Sequence, residues 1–137
     1  MAKHRLEDSI LPNIVAYGIS CHVPDYRLCW SLNKAMGLDL TRRRNDIVEE
    51  SGGRALHYPV FEQRDDEVGI LWRLVSNLCG KRRLLTDQKE ADFFLLADAE
   101  LFAHDEHIID RLRGAEFVLT AFPLEMAALK MGHKLLL

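Results

Sequence analysis

The run Asn13-Ile14-Val15-Ala16-Tyr17-Gly18-Ile19-Ser20, followed by Pro24-Asp25-Tyr26-Arg27-Leu28-Cys29-Trp30-Ser31-Leu32-Asn33-Lys34-Ala35-Met36-Gly37, decides the fold. Its first half is apolar and rich in β-branched residues, the pattern of a mostly buried strand. Its second half changes period. Leu28, Cys29, Leu32, Ala35 and Met36 fall at helical spacing and make a single apolar stripe. Pro24 and Asp25 suit a first helical turn, and Gly37 followed by apolar Leu38 suits a C-terminal cap. The chain therefore opens strand-then-helix.

Working outward, the pattern weakens and returns. A second strand is expected near Leu38 to Arg42, and a polar loop from Arg42 to Gly53 broken at Gly52-Gly53. Leu56, Tyr58 and Val60 alternate with His57, Pro59 and Phe61, so Leu56 to Phe61 reads as one strand. Its proline places it at an edge or bulge. Asp65-Asp66-Glu67 reads as a turn into a strand carrying Val68, Ile70, Trp72 and Leu74. Cys79 to Arg83 reads as a loop, and Ala91 to Ala97 as a buried strand. His104 to Arg113 is expected as a helix with acids in its first turn and Arg111 and Arg113 in its last. Phe117 to Phe122 is the final strand, and Glu125 to Leu137 reads as a short helix with a Leu-rich end. The expected order is β-α-β-β-β-β-α-β. It corresponds to an α+β domain: a mainly antiparallel sheet with two helices on one face, a ferredoxin-like sandwich with an enlarged middle meander.

Composition supports one domain spanning residues 1–137. The chain is 48% hydrophobic and 28% charged, which is ordinary for a globular protein and far from disorder. A net charge of −3 gives no global field toward nucleic acid or anionic membranes. No apolar run is long enough to cross a bilayer, and Met1 to Asp8 lacks the apolar core of a signal peptide. Cys21, Cys29 and Cys79 are odd in number and form no CxxC pair, which fits a reducing compartment. The expectation is a cytoplasmic protein that contacts no membrane.

The run Ile19-Ser20-Cys21-His22-Val23-Pro24-Asp25 through Leu38 resembles a small bacterial group, the IPExxxVDY family. The resemblance extends through Leu119-Thr120-Ala121-Phe122 and is closest between Asp25 and Asn33. The family's naming signature falls at Leu85-Thr86-Asp87-Gln88-Lys89-Glu90-Ala91-Asp92-Phe93, where Asp92 keeps the signature residue and the other fixed positions are substituted. The resemblance implies a small bacterial protein and brings no catalytic residue, cofactor or substrate.

No Walker loop, GxGxxG, GxSxG or HExxH is present, and the sequence calls for no cofactor and no metal. His104 and His107 could share a helix face and ligate an ion, with a third ligand from His22, His57 or His133. A solvated helix start explains them with fewer assumptions. Arg42-Arg43-Arg44 and Lys81-Arg82-Arg83, with Tyr58, Phe61 or Trp72, fit a surface that stacks bases between cations, but the acidic total weighs against nucleic acid. Cys21 and His22 are adjacent, and neighbouring strand residues point to opposite faces. The anomaly is Trp30. With Tyr26 at zero and about 100° per residue, the apolar stripe centres near ~240° and Trp30 falls near ~40°. An indole opposite the buried stripe is either covered by the N-terminal arm or the Leu135-Leu136-Leu137 tail, or is an interface anchor. Tyr26, Arg27, Trp30, Asn33 and Lys34 are therefore the expected binding face for a protein partner or a second copy in a homodimer. A small-molecule regulatory module and an RNA-binding protein are the alternatives.

Overall fold

The computed structural model describes residues 13–137; the reading of Met1 to Asp8 lies outside them. β1 (Ile14–Cys21) leads into α1 (Asp25–Met36), which carries the chain across the sheet to β2 (Thr41–Arg42). β3 (Ile47–Ser51) and β4 (Arg54–Tyr58) form a separate hairpin. β5 (Val60–Asp65) and β6 (Gly69–Ser76) return inward, and β7 (Leu78–Cys79) pairs with β8 (Arg82–Arg83) in a small ribbon. β9 (Phe93–Asp98), α2 (Ala99–Phe102), α3 (Ile108–Arg113) and β10 (Val118–Leu124) follow, then 3₁₀ turns at Met126–Ala128 and Gly132–Leu136.

The main sheet has six strands in the order β10-β1-β9-β6-β5-β2, antiparallel throughout. For the strands that bracket the helices, the order is last, first, third, second, the ferredoxin-like arrangement. β5 and β2 extend it as a meander. The class is α+β, as the strand and helix periods indicate.

Alternation along the central strands sends side chains to both faces. Ile19, Leu74, Phe93 and Leu95 meet Leu28 and Leu32 of α1 and Ile108 and Leu112 of α3. Ala16, Val75, Phe94 and Leu96 point the other way, where Ile47, Tyr58, Leu84, Leu85, Leu129 and Leu135 cover them. The second cover was not legible as such. The expected loop from Arg42 to Gly53 instead contains β3, because Gly52 (φ 58) and Gly53 (φ 80) form a two-residue turn with left-handed backbone at both positions. That turn suits the twist of a tight hairpin. The single strand expected from Leu56 to Phe61 is split at Pro59, so Tyr58 ends the hairpin and Val60 begins a main-sheet strand. Cys79 to Arg83 is likewise a ribbon rather than a plain loop.

The expected helix from His104 to Arg113 is broken. α3 begins only at Ile108, after a turn in which the Asp105 carboxylate accepts from the His107 N–H (3.0 Å) and from the Arg111 guanidinium (2.7 Å). An aspartate closing onto nearby backbone competes with helix formation.

One charged pair lies within the second face. Arg73 is 3% exposed, and its Nε donates to the Glu62 carboxylate at 2.9 Å. Its Nη1 donates to the carbonyls of Leu135 (2.8 Å) and Leu137 (3.1 Å). Burial lowers the Arg73 pKa from its ordinary value, and Glu62 opposes that shift. Arg43 (3.7 Å) and Arg64 (3.6 Å) flank the same carboxylate.

Two outcomes follow. Gly18 stands opposite Phe122, and a Cβ there would lie 2.5 Å from the ring. Gly18→Ala should lower stability by about 1–3 kcal/mol in urea unfolding, as overpacking does. Arg73→Met should lower it by about 1.5–3 kcal/mol by removing the closest partner of Glu62, which Arg43 and Arg64 still flank, while Glu62→Leu/Arg73→Met should recover part of that loss. A double variant no more stable than the single would show that tail anchoring, not charge pairing, dominates.

Candidate functional site

α1 starts where the Pro24 carbonyl accepts the N–H groups of Arg27 (3.1 Å) and Leu28 (3.2 Å). It ends at Gly37, whose N–H bonds to the Asn33 carbonyl. Leu28, Cys29, Leu32 and Met36 are buried beneath it. Ser31 is buried too, because its hydroxyl donates to the Glu116 carbonyl, whereas Ala35, expected on the apolar stripe, is exposed. A polar residue buried by one specific acceptor is invisible to periodicity.

The opposite face carries the aromatic residues. Tyr26 is 65% exposed and Trp30 is 53% exposed. Lys34 follows one turn later, its ammonium 5.1 Å from the centroid of the Trp30 ring. The Arg27 guanidinium lies 4.7 Å from the centroid of Phe117. Both are cation–π distances. Phe117 has φ 75, a conformation that a bulky side chain holds only when its surroundings impose it. The bond from Ser31 to the preceding carbonyl and the Arg27 contact are two such restraints. Trp30, Ser31, Lys34, Ala35, Gly114 and Glu116 line a shallow groove of about 290 Å³ alongside.

Tyr26, Arg27, Trp30 and Lys34 thus share one surface, joined by Phe117 and Glu116, which the sequence did not single out. Asn33 does not join them. Its Nδ2 donates to the Leu40 carbonyl (3.1 Å) and its Oδ1 accepts from the Leu40 N–H (2.8 Å), so it pins the chain that leaves the helix. The Leu135-Leu136-Leu137 tail packs on the far side of the sheet, around Arg73, and does not cover the indole. The arm from Met1 lies outside the described residues.

The other candidates separate. Cys21, His22, Ser76 and Asp92 line one cleft of about 540 Å³, but the Cys21 thiol is buried and directed at the Val23 carbonyl. Burial, with a smaller contribution from Asp92, raises its pKa, and burial then Asp25 push Cys29 up to about 11. An activated thiol is shifted the other way. Among the described residues, no cluster of three metal-ligating side chains occurs. Tyr58, Phe61 and Trp72 are buried, so the rings expected to stack bases beside the basic runs are inside the protein. Arg42 pairs with Asp46 and Arg43 reaches the Leu137 carbonyl. Among the described residues, no helix is long and apolar enough to cross a membrane.

No family model, curated protein or solved structure matches this chain. Asn33→Ala should lower stability by about 1–3 kcal/mol, because it strands the N–H of buried Leu40 and leaves its carbonyl only the Cys29 thiol, 3.5 Å away. Chemical denaturation measures this, and an unchanged midpoint would make Asn33 a surface residue after all.

Proposed function

We propose that this is a non-enzymatic protein-interaction domain whose recognition face is the outer side of α1, and that its occupant is a second copy of the chain. The observation that carries the reading is the exposure of Trp30, at 53%, on a helix whose other face is fully engaged with the sheet. Tryptophan, tyrosine and arginine are the residues that most often anchor interfaces. Here Tyr26, Trp30 and Arg27 stand together, with Lys34 beside the indole. A tryptophan that is half wet forfeits much of its hydrophobic stabilisation until something dries it.

Charge supports a self-complementary use. Arg27 and Lys34 lie on the same surface as exposed Glu116 at the groove. A patch carrying both signs can pair with its own image across a twofold axis, which is the commonest form of oligomer. A bacterial origin, which the family resemblance implies, and a cytoplasmic setting, which the unpaired cysteines suggest, are part of the same proposal.

Sedimentation velocity over a concentration series tests this reading. The wild type should move from monomer to dimer, and Trp30→Ala should weaken the dimer about 30-fold or more, as loss of roughly 2 kcal/mol at an anchor does. Its melting temperature at low concentration should not change. A wild type that stays monomeric throughout, or a variant that loses stability with its mass unaltered, would overturn the proposal.

A further inference from the structure

A second feature, independent of the α1 face, lies on the opposite side of the sheet. The β3–β4 hairpin and the β7–β8 ribbon flank a groove of about 380 Å³. Tyr58 lines it. The residue is 0% exposed, and among the described residues its hydroxyl has no hydrogen-bond partner. Such a group costs about 1–3 kcal/mol if nothing pairs with it, so a water or a ligand oxygen at this position would be stabilised by it. Burial raises the Tyr58 pKa above its ordinary value, with smaller upward contributions from Cys79 and Glu49, while Arg82 pulls it down. The group therefore stays a phenol and keeps an O–H to donate.

The lining supplies the rest. Arg82 is exposed, and one of its nitrogens donates to the Ser51 hydroxyl, which joins the two flanking ribbons. The remaining guanidinium donors of Arg82 have no partner among the described residues. Arg83 is turned toward the Ala91 carbonyl (3.2 Å) and Asp92 (3.8 Å). Lys134 is bound to Glu49 at 2.7 Å and so cancels one of the groove's two carboxylates; Glu50 is the other. Thr86 adds a further hydroxyl. The wall thus holds a guanidinium with spare donors and three hydroxyl groups, one of them dry and unpaired. A planar cation beside several neutral donors fits an oxyanion better than a cation or an apolar ligand.

We propose that this groove binds a small phosphate-bearing ligand, with the phosphate oxygens held by Arg82 and by the hydroxyl groups of Tyr58, Ser51 and Thr86. Binding would fasten the β3–β4 hairpin to the β7–β8 ribbon, which the Arg82–Ser51 bond already links.

Inorganic phosphate is the probe. Titrated into the full chain at constant ionic strength, it should raise the melting temperature saturably and broaden the ³¹P resonance of free phosphate. Arg82→Gln should abolish both effects; Arg82 is exposed, so the fold should survive. Tyr58→Phe should weaken binding about tenfold, the loss of roughly one hydrogen bond to a charged group. Without phosphate, Tyr58→Phe should be at least as stable as the wild type, because it removes an unpaired buried hydroxyl. Acetate at the same ionic strength should give no shift. An equal effect from acetate or chloride, or undiminished binding by Arg82→Gln, would overturn the assignment.

Discussion

A sheet whose central strands bury side chains on both faces needs two covers, and most of this molecule follows from that constraint. β1, β9 and β6 each alternate between two separate cores. The helices of the two crossover segments supply the first cover. Among the described residues nothing comparable is left for the second, which is assembled from small pieces: a hairpin, a two-residue ribbon and 3₁₀ turns. None of these could bury enough surface to persist alone. The buried guanidinium of Arg73 ties the last of these pieces, the C-terminal turns, to the sheet. It meets Glu62 on the neighbouring strand and also holds the carbonyls of Leu135 and Leu137, so one side chain joins β5, β6 and the C-terminal turns.

The two faces have different consequences for function. On the helical side the inner stripe of α1 is fully used, and what remains outside is a set of aromatic and cationic groups held in defined positions. The Ser31 bond, the Arg27–Phe117 stack and the Asn33 clamp on Leu40 all restrain the helix or its flanks. A recognition surface with fixed side chains loses less entropy on association than a mobile one. On the other side, the patchwork cover leaves a seam between its pieces, and a dry tyrosine hydroxyl and an exposed arginine both line the groove there.

How far the sequence could be read differs by element. α1 was legible from its start at Asp25 to Gly37, because five apolar positions share one helical stripe and the capping chemistry is local. The strands β1, β9 and β10 were legible as apolar runs. The β3 strand was not, since Val48 and Glu50 face outward, Glu49 and Ser51 are half-buried polar residues, and only Ile47 is fully buried. The break at Pro59 was legible as an irregularity but not as a transfer between sheets. The histidine-bearing helix failed because Asp105 prefers its own turn. At the α1 face, Tyr26, Arg27, Trp30 and Lys34 could be placed by angle alone. Asn33 lies on the same side of the helical wheel, and only its bonds to Leu40 remove it from the set.

The sequence by itself determined what depends on nearest neighbours and period: the α+β class, the helix and its outward indole, the turn at Asp65 and the absence of a long apolar span. Tertiary structure decided what depends on partners distant along the chain. It chose which strands lie side by side, buried Ser31 against Glu116, and turned Arg73 into an internal anchor. It also brought Tyr58 and Arg82 to one groove and left the tyrosine hydroxyl without a partner among the described residues. The reason is physical. Periodicity reports how often a side chain faces inward, whereas a hydrogen bond or ion pair requires two specific groups at one distance and angle, and only the folded chain sets both.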